Sequence, residues 1–172
     1  MSLIYISLNM RKISVPVYKS DDEGYLTKKG VLSISGFSCH NTVCESGLRG
    51  ENFSINNFDK RFLYIRPDIL HIDENNRKVM LIEVKALSES VARNIELYQD
   101  LYEYLRACSW NCNLYYLLSH GHEEQQDWPL MAKYDSNIII WEDLFMVMAQ
   151  TPIANLIGDC LNEYCDPPAN HE

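Results

Sequence analysis

The stretch that decides the fold is Arg66-Pro67-Asp68-Ile69-Leu70-His71-Ile72, followed across Asp73-Glu74-Asn75-Asn76 by Arg77-Lys78-Val79-Met80-Leu81-Ile82-Glu83-Val84-Lys85-Ala86. Two runs rich in Ile, Leu and Val flank an Asp/Asn turn, the signature of a β-hairpin. With Asn75-Asn76 as a two-residue turn, Ile72 faces Val79, Leu70 faces Leu81, Asp68 faces Glu83 and Arg66 faces Lys85, all on one side of the ribbon. The other side pairs Ile69 with Ile82 and Pro67 with Val84. Asn tolerates the positive φ that such a turn requires.

Both sides are apolar near the turn, and one becomes polar at Asp68, Glu83 and Lys85. Directly opposed carboxylates, with Cβ atoms on the order of 5 Å apart, repel each other. A ribbon this apolar has little reason to hold them together unless a cation lies between. Two hard oxygen donors and a backbone carbonyl make a partial shell for Mg²⁺, which keeps several waters and takes substrate phosphate as a further ligand. Lys85, one pleat along, sets a positive charge beside such a site.

Outward from the hairpin, Ser88 is a candidate N-cap, and Val91, Ile95, Tyr98, Tyr102 and Leu105 form the stripe of an amphipathic helix over 88–108. Strands are expected at 114–118 and 137–141, the latter apolar on both sides and so central, with residues 119–136 a linker. A short helix is expected over 142–150, and Thr151-Pro152 opens a last one toward Tyr164. Upstream, 13–18 and 31–37 are strand-like, and 41–58 hold at most a short helix. The order predicts an α/β fold: a mixed central β-sheet with helices on both faces.

Pro67-Asp68 and, fourteen residues on, Glu83-Val84-Lys85, on a hairpin followed by a helix, resemble the PD-(D/E)XK (restriction-endonuclease-like) nuclease superfamily. The resemblance covers about residues 60–120. It implies a restriction-endonuclease-like core in a single nuclease-like domain spanning 1–172: a poorly readable part at 1–59, a motif-bearing core at 60–120 and an acidic part at 121–172. It further implies that Asp68, Glu83 and the Val84 carbonyl bind Mg²⁺ (or Mn²⁺) and that Lys85 positions or activates the attacking water. Gln99 resembles an auxiliary glutamine that several branches carry on the following helix. Many members have a further acid on an N-terminal helix. No convincing helix is read there, and Glu45 and Glu51 are the only nearby glutamates. The implied activity is metal-dependent hydrolysis of phosphodiester bonds in DNA, with RNA as another substrate. The alternative is a catalytically inactive nuclease-fold subunit that binds nucleic acid or a protein partner.

The charge distribution agrees with this. The net charge is −9 over 172 residues, but 1–93 carry +2 and 94–172 carry −11. A polyanion is repelled by the second part and tolerated by the first, and a solvated acidic face on C-terminal helices explains the acidity equally well. Lys60, Arg61, Arg66, Arg77, Lys78 and Arg93 are the expected phosphate contacts, with a homodimer or a larger nucleic-acid-processing complex supplying any specificity. An acidic C-terminal part that engages a basic partner is a further reading. Six cysteines in loose pairs (39/44, 108/112, 160/165) lack metal or redox spacing and read as free thiols. His71 falls on the face away from the carboxylates, and His120 and His122, bracketing Gly121, read as an exposed loop, with a metal site as the alternative. The tyrosines are mostly core residues, with Tyr98 or Tyr102 placed to stack on a base. No apolar run approaches the roughly 18–20 residues of a membrane span, and no secretory signal is read, so a cytoplasmic protein without membrane association is expected.

Overall fold

In the computed structural model, which describes residues 13–34, 42–44, 48–86, 89–122 and 126–149, the hairpin forms. Its strands are β4 (Ile69–Asp73) and β5 (Lys78–Val84), with Ile69 opposite Ile82, Leu70 opposite Leu81 and Ile72 opposite Val79. That is the predicted register. The turn reaches it by another route. The loop is Glu74–Arg77, closed by the Arg77 N–H donating to the Glu74 carbonyl at 3.2 Å, and the positive φ (49°) falls on Arg77. Asp73 steadies the loop by accepting from the Asn76 backbone N–H (3.2 Å) and from Asn76 Nδ2 (2.7 Å). A four-residue loop preserves the opposed pairs of a two-residue one, so the register survives the change.

The remaining strands are β1 (Ile13–Ser20), β2 (Leu26–Ile34), β3 (Thr42–Cys44), β6 (Asn111–Leu118) and β7 (Asn137–Ile140). They build one seven-stranded sheet in the order β2-β1-β7-β6-β5-β4-β3. β5, β6 and β7 run parallel, and the neighbours at both ends pair antiparallel, so the sheet is mixed. Leu70, Leu81, Leu114, Tyr116 and Ile138 point to one face, covered by α1 (Ile95–Ala107) and α2 (Asp127–Lys133). Ile69, Ile82, Leu117 and Ile139 point to the other, where Leu144 of α3 (Trp141–Ala149) packs. The fold is α/β with helices on both faces. No described helix is long and apolar enough to cross a membrane.

α1 buries Ile95, Tyr98, Leu101 and Leu105 on the sheet, largely the expected stripe, yet it starts at Ile95 rather than at Ser88. The buried carboxylate of Asp127 takes the Ser90 hydroxyl (2.6 Å) and the N–H groups of Val91 (2.9 Å) and Ala92 (3.3 Å), holding a bend at Val91 and a turn over 92–94 ahead of the helix. β3 and α2 were not expected, since three- and seven-residue elements are too short to show a period. β2 begins at Leu26, five residues before the expected start. The expected helix after Thr151 lies outside the described residues, as do Cys39, Cys160, Cys165 and Glu45.

Candidate active site

Asp68 immediately precedes β4, and Glu83 lies one residue before the end of β5. Continued by one step, the hairpin register sets them opposite each other on the face that α1 covers. The half-buried Asp68 accepts the Val84 N–H through Oδ2 at 2.7 Å, tying the end of one strand to the other. Glu83 is only 5% exposed, and both of its oxygens are engaged. Lys85 Nζ donates to Oε1 at 2.6 Å, and the Tyr98 hydroxyl donates to Oε2 at 2.6 Å. Burial, then the Glu83 charge, pushes the Tyr98 phenol well above its usual range, so it stays protonated and acts only as a donor to Glu83. Asp68 adds to that shift, which places its charge near the same hydroxyl.

Tyr116 completes the cluster. It stands beside Glu83 in the parallel β5–β6 ladder and is 1% exposed, and its hydroxyl has no hydrogen-bond partner among the described residues. Burial, then Glu83, also drives its phenol upward. A buried hydroxyl with no partner is costly, about 1–3 kcal/mol, and marks a place where a polar group is wanted.

The structure thus brings Asp68, Glu83, Val84 and Lys85 together and adds Tyr98 and Tyr116. Gln99 is not among the contacts of the carboxylates: its amide lies 3.4 Å from Glu103 Oε1, and it lines a cavity on the neighbouring side of α1. Glu51 belongs to the 3₁₀ helix Gly50–Phe53, but its side chain is outside the described residues. Of the expected phosphate contacts, Arg66 and Arg93 are exposed in the segments leading to Asp68 and to α1. Lys60 and Arg61 are on the exposed 3₁₀ helix Lys60–Tyr64, where Arg61 is paired with Asp59 (2.9 Å) and Asp100 (3.4 Å). Arg77 and Lys78 sit at the hairpin turn. Lys78 is five strand residues, roughly 17 Å, from Glu83, so this pair does not flank the carboxylates.

His122 overturns the expectation of an exposed histidine loop. Its side chain is fully buried, with Nε2 2.8 Å from Asp127 Oδ2 and its ring edge-on to Trp128. His120 is exposed, as expected. Asp127 therefore joins His122 to the turn that leads from Lys85 into α1. Neither this anchor nor the Tyr98 contact was foreseen. Tyr98 carried a signal, a phenol on the buried stripe of the helix that covers the carboxylate face, because a buried tyrosine hydroxyl usually finds a partner. Asp127 carried none.

Two carboxylates from adjacent strands fit an ion that keeps several waters, whereas they would not cage a structural zinc. Among the described residues no group of three or more His, Cys, Asp or Glu side chains that could hold a metal gathers anywhere, and this site offers two carboxylates. No family model, curated protein or solved structure matches this chain.

Proposed function

We propose that this chain is a metal-dependent nuclease that hydrolyses phosphodiester bonds in DNA, built like the PD-(D/E)XK enzymes its hairpin resembles. The observation that carries the reading is the convergence of Asp68, Glu83 and Lys85 at one end of a hairpin whose register opposes the two acids. Asp68 and Glu83 would hold Mg²⁺ or Mn²⁺, with the Val84 carbonyl as the further protein ligand. When bound, the ion lowers the pKa of a water and polarises the phosphate. Lys85, held at Glu83 and 15% exposed, orients that water or offsets the charge that develops on the phosphoryl oxygens. Tyr98 holds the Glu83 carboxylate through Oε2, while Oε1 takes the Lys85 ammonium. Arg66 and Arg93 guide the polyanion to this end of the sheet.

One observation favours a second reading, an inactive nuclease-fold subunit that binds nucleic acid or a protein partner. The Lys85 ammonium already neutralises Glu83 at 2.6 Å, so the buried carboxylate is satisfied without a metal. Incubation with supercoiled plasmid and labelled single strands, in Mg²⁺, Mn²⁺ or chelator, separates the two. The nuclease reading expects metal-dependent nicking or shortening that Glu83→Gln abolishes. Salt-sensitive binding without cleavage in either metal refutes it and leaves the subunit.

A further inference from the structure

On the sheet face that carries the carboxylates, a cavity of about 330 Å³ lies between α1 and the start of β7, with Leu114 one strand, Asn137 two strands and Lys19 three strands across from Glu83. That is the lower end of the roughly 300–1,000 Å³ of small-ligand sites. Its wall includes Leu114, which stands next to Leu81 in the ladder, two residues before Glu83. Two strand residues along and one strand across put it about 8 Å from Glu83. The same helix serves both places, because Tyr98 touches Glu83 while Gln99 and Tyr102 line the cavity.

The lining dictates what fits. Tyr102 and Tyr134 supply two half-buried aromatic rings from different elements. Asn137 donates its Nδ2 to the Leu114 carbonyl at 3.0 Å, which leaves Oδ1 as a fixed acceptor. Gln99, with only a long 3.4 Å contact to Glu103, keeps both an acceptor and a donor. Among the described residues here, no cation stands free for an anion: Lys19 is paired with Asp135 at 3.1 Å, Arg106 and Lys133 each lie over one face of the Tyr102 and Tyr134 rings, and Glu96 and Glu103 stand on Tyr134 and Gln99. A neutral planar heterocycle with donors and acceptors on its edge satisfies this wall; a phosphate does not.

We infer that the cavity receives one unpaired nucleobase, read by Gln99 and Asn137 and stacked on Tyr102 or Tyr134, from the strand whose phosphate lies at Asp68 and Glu83. The inference rests on the nuclease reading for the source of the base, and a free nucleoside offers the same chemistry. The cavity would then make the protein prefer single-stranded or frayed substrate, since a paired base is unavailable to it.

The test uses the whole chain, Ca²⁺ in place of Mg²⁺, and two probes: a short single-stranded oligodeoxynucleotide with a set of versions carrying one abasic position each, and the four free nucleosides. One abasic position should weaken binding roughly tenfold, the scale of one lost base stack. Gln99→Leu should weaken the intact strand by a similar factor and the critical abasic strand hardly further, while Gln99→Glu should shift the base preference. Gln99 is half-buried on a helix surface, so these variants should fold. If every abasic strand binds like the intact one and Gln99→Leu changes neither strand nor nucleoside binding, the inference is overturned, and intact plasmid cleavage in that case leaves the nuclease reading standing. Gln99-dependent nucleoside binding by a protein that neither binds nor cleaves polynucleotide would support the base site and assign it to a free ligand, while sinking the nuclease reading.

Discussion

Tyr98, in the first turn of α1, donates its hydroxyl to the buried Glu83 carboxylate across the sheet-helix interface at 2.6 Å. The bond links the element that carries the acid to the element that covers it, so site geometry and helix docking are one interaction. Hydrogen bonds to charged groups contribute about 1.5–3 kcal/mol. Tyr98→Phe keeps the ring packed and should lower unfolding free energy by an amount in that range, read from urea denaturation at constant slope. Cleavage should fall as well, because Glu83 gains rotational freedom. A variant as stable as wild type would mean that the bond is not formed in solution.

Lys85→Ala strips a nearly buried carboxylate of its cation. Breaking a buried pair on one side costs about 3–5 kcal/mol. The loss should be partly repaired by a divalent ion, which supplies the missing charge to Glu83. Thermal unfolding with and without Mg²⁺ therefore has a distinctive expectation: the metal raises Tm more in Lys85→Ala than in wild type, while cleavage drops by roughly 10²–10³. Glu83→Gln should do the reverse and abolish the Mg²⁺ response. Equal metal responses in all three proteins would show that the cation binds elsewhere.

Asp127→Ala removes the acceptor that Ser90, Val91, Ala92 and His122 share. Four donors lose one buried carboxylate, so destabilisation of about 3–5 kcal/mol is expected. Hydrogen exchange should rise first in residues 89–98, ahead of β4 and β5, because Asp127 anchors the entry to α1 rather than the sheet. Uniform loss of protection would instead make Asp127 a generic core contact.

The hairpin was legible because its signals are local and redundant. Nearly continuous apolar runs from Ile69 to Ile72 and from Val79 to Ile82 mark strands buried on both faces, and the Asp/Asn turn between them sets their pairing. The same register carried Asp68 and Glu83 to their places. What stayed hidden depends on contacts distant in sequence. Asp127 reaches back 36 residues to Val91 and displaces the start of a helix that propensity alone would begin at Ser88. His122 is buried by Asp127 and Trp128, neither of which marks a flanking Gly as part of a packed loop. Distance along a strand was not legible either: Arg77 and Lys78 are near Glu83 in sequence, but the strand separates its ends by its full length and sets them away from the carboxylates.

Acid should weaken the fold through His71. On β4, opposite Met80, its imidazole is held below the usual range by burial, with Asp73 pulling weakly the other way. The unfolded chain takes up this proton near pH 6.5, and the folded one resists it until lower pH. The contribution to stability is therefore complete above about pH 6.5 and is lost as pH falls from there through the folded pKa. Urea midpoints measured from about pH 7.5 to about pH 5 should decline in wild type. His71→Gln, which cannot take up that proton, should flatten the difference between the two curves to a constant offset above pH 6.5 and narrow it below. Carboxylates titrate in both proteins alike, so only the difference reports His71. Parallel curves throughout would show that His71 binds its proton equally well folded and unfolded, and that its place on the sheet is open to water.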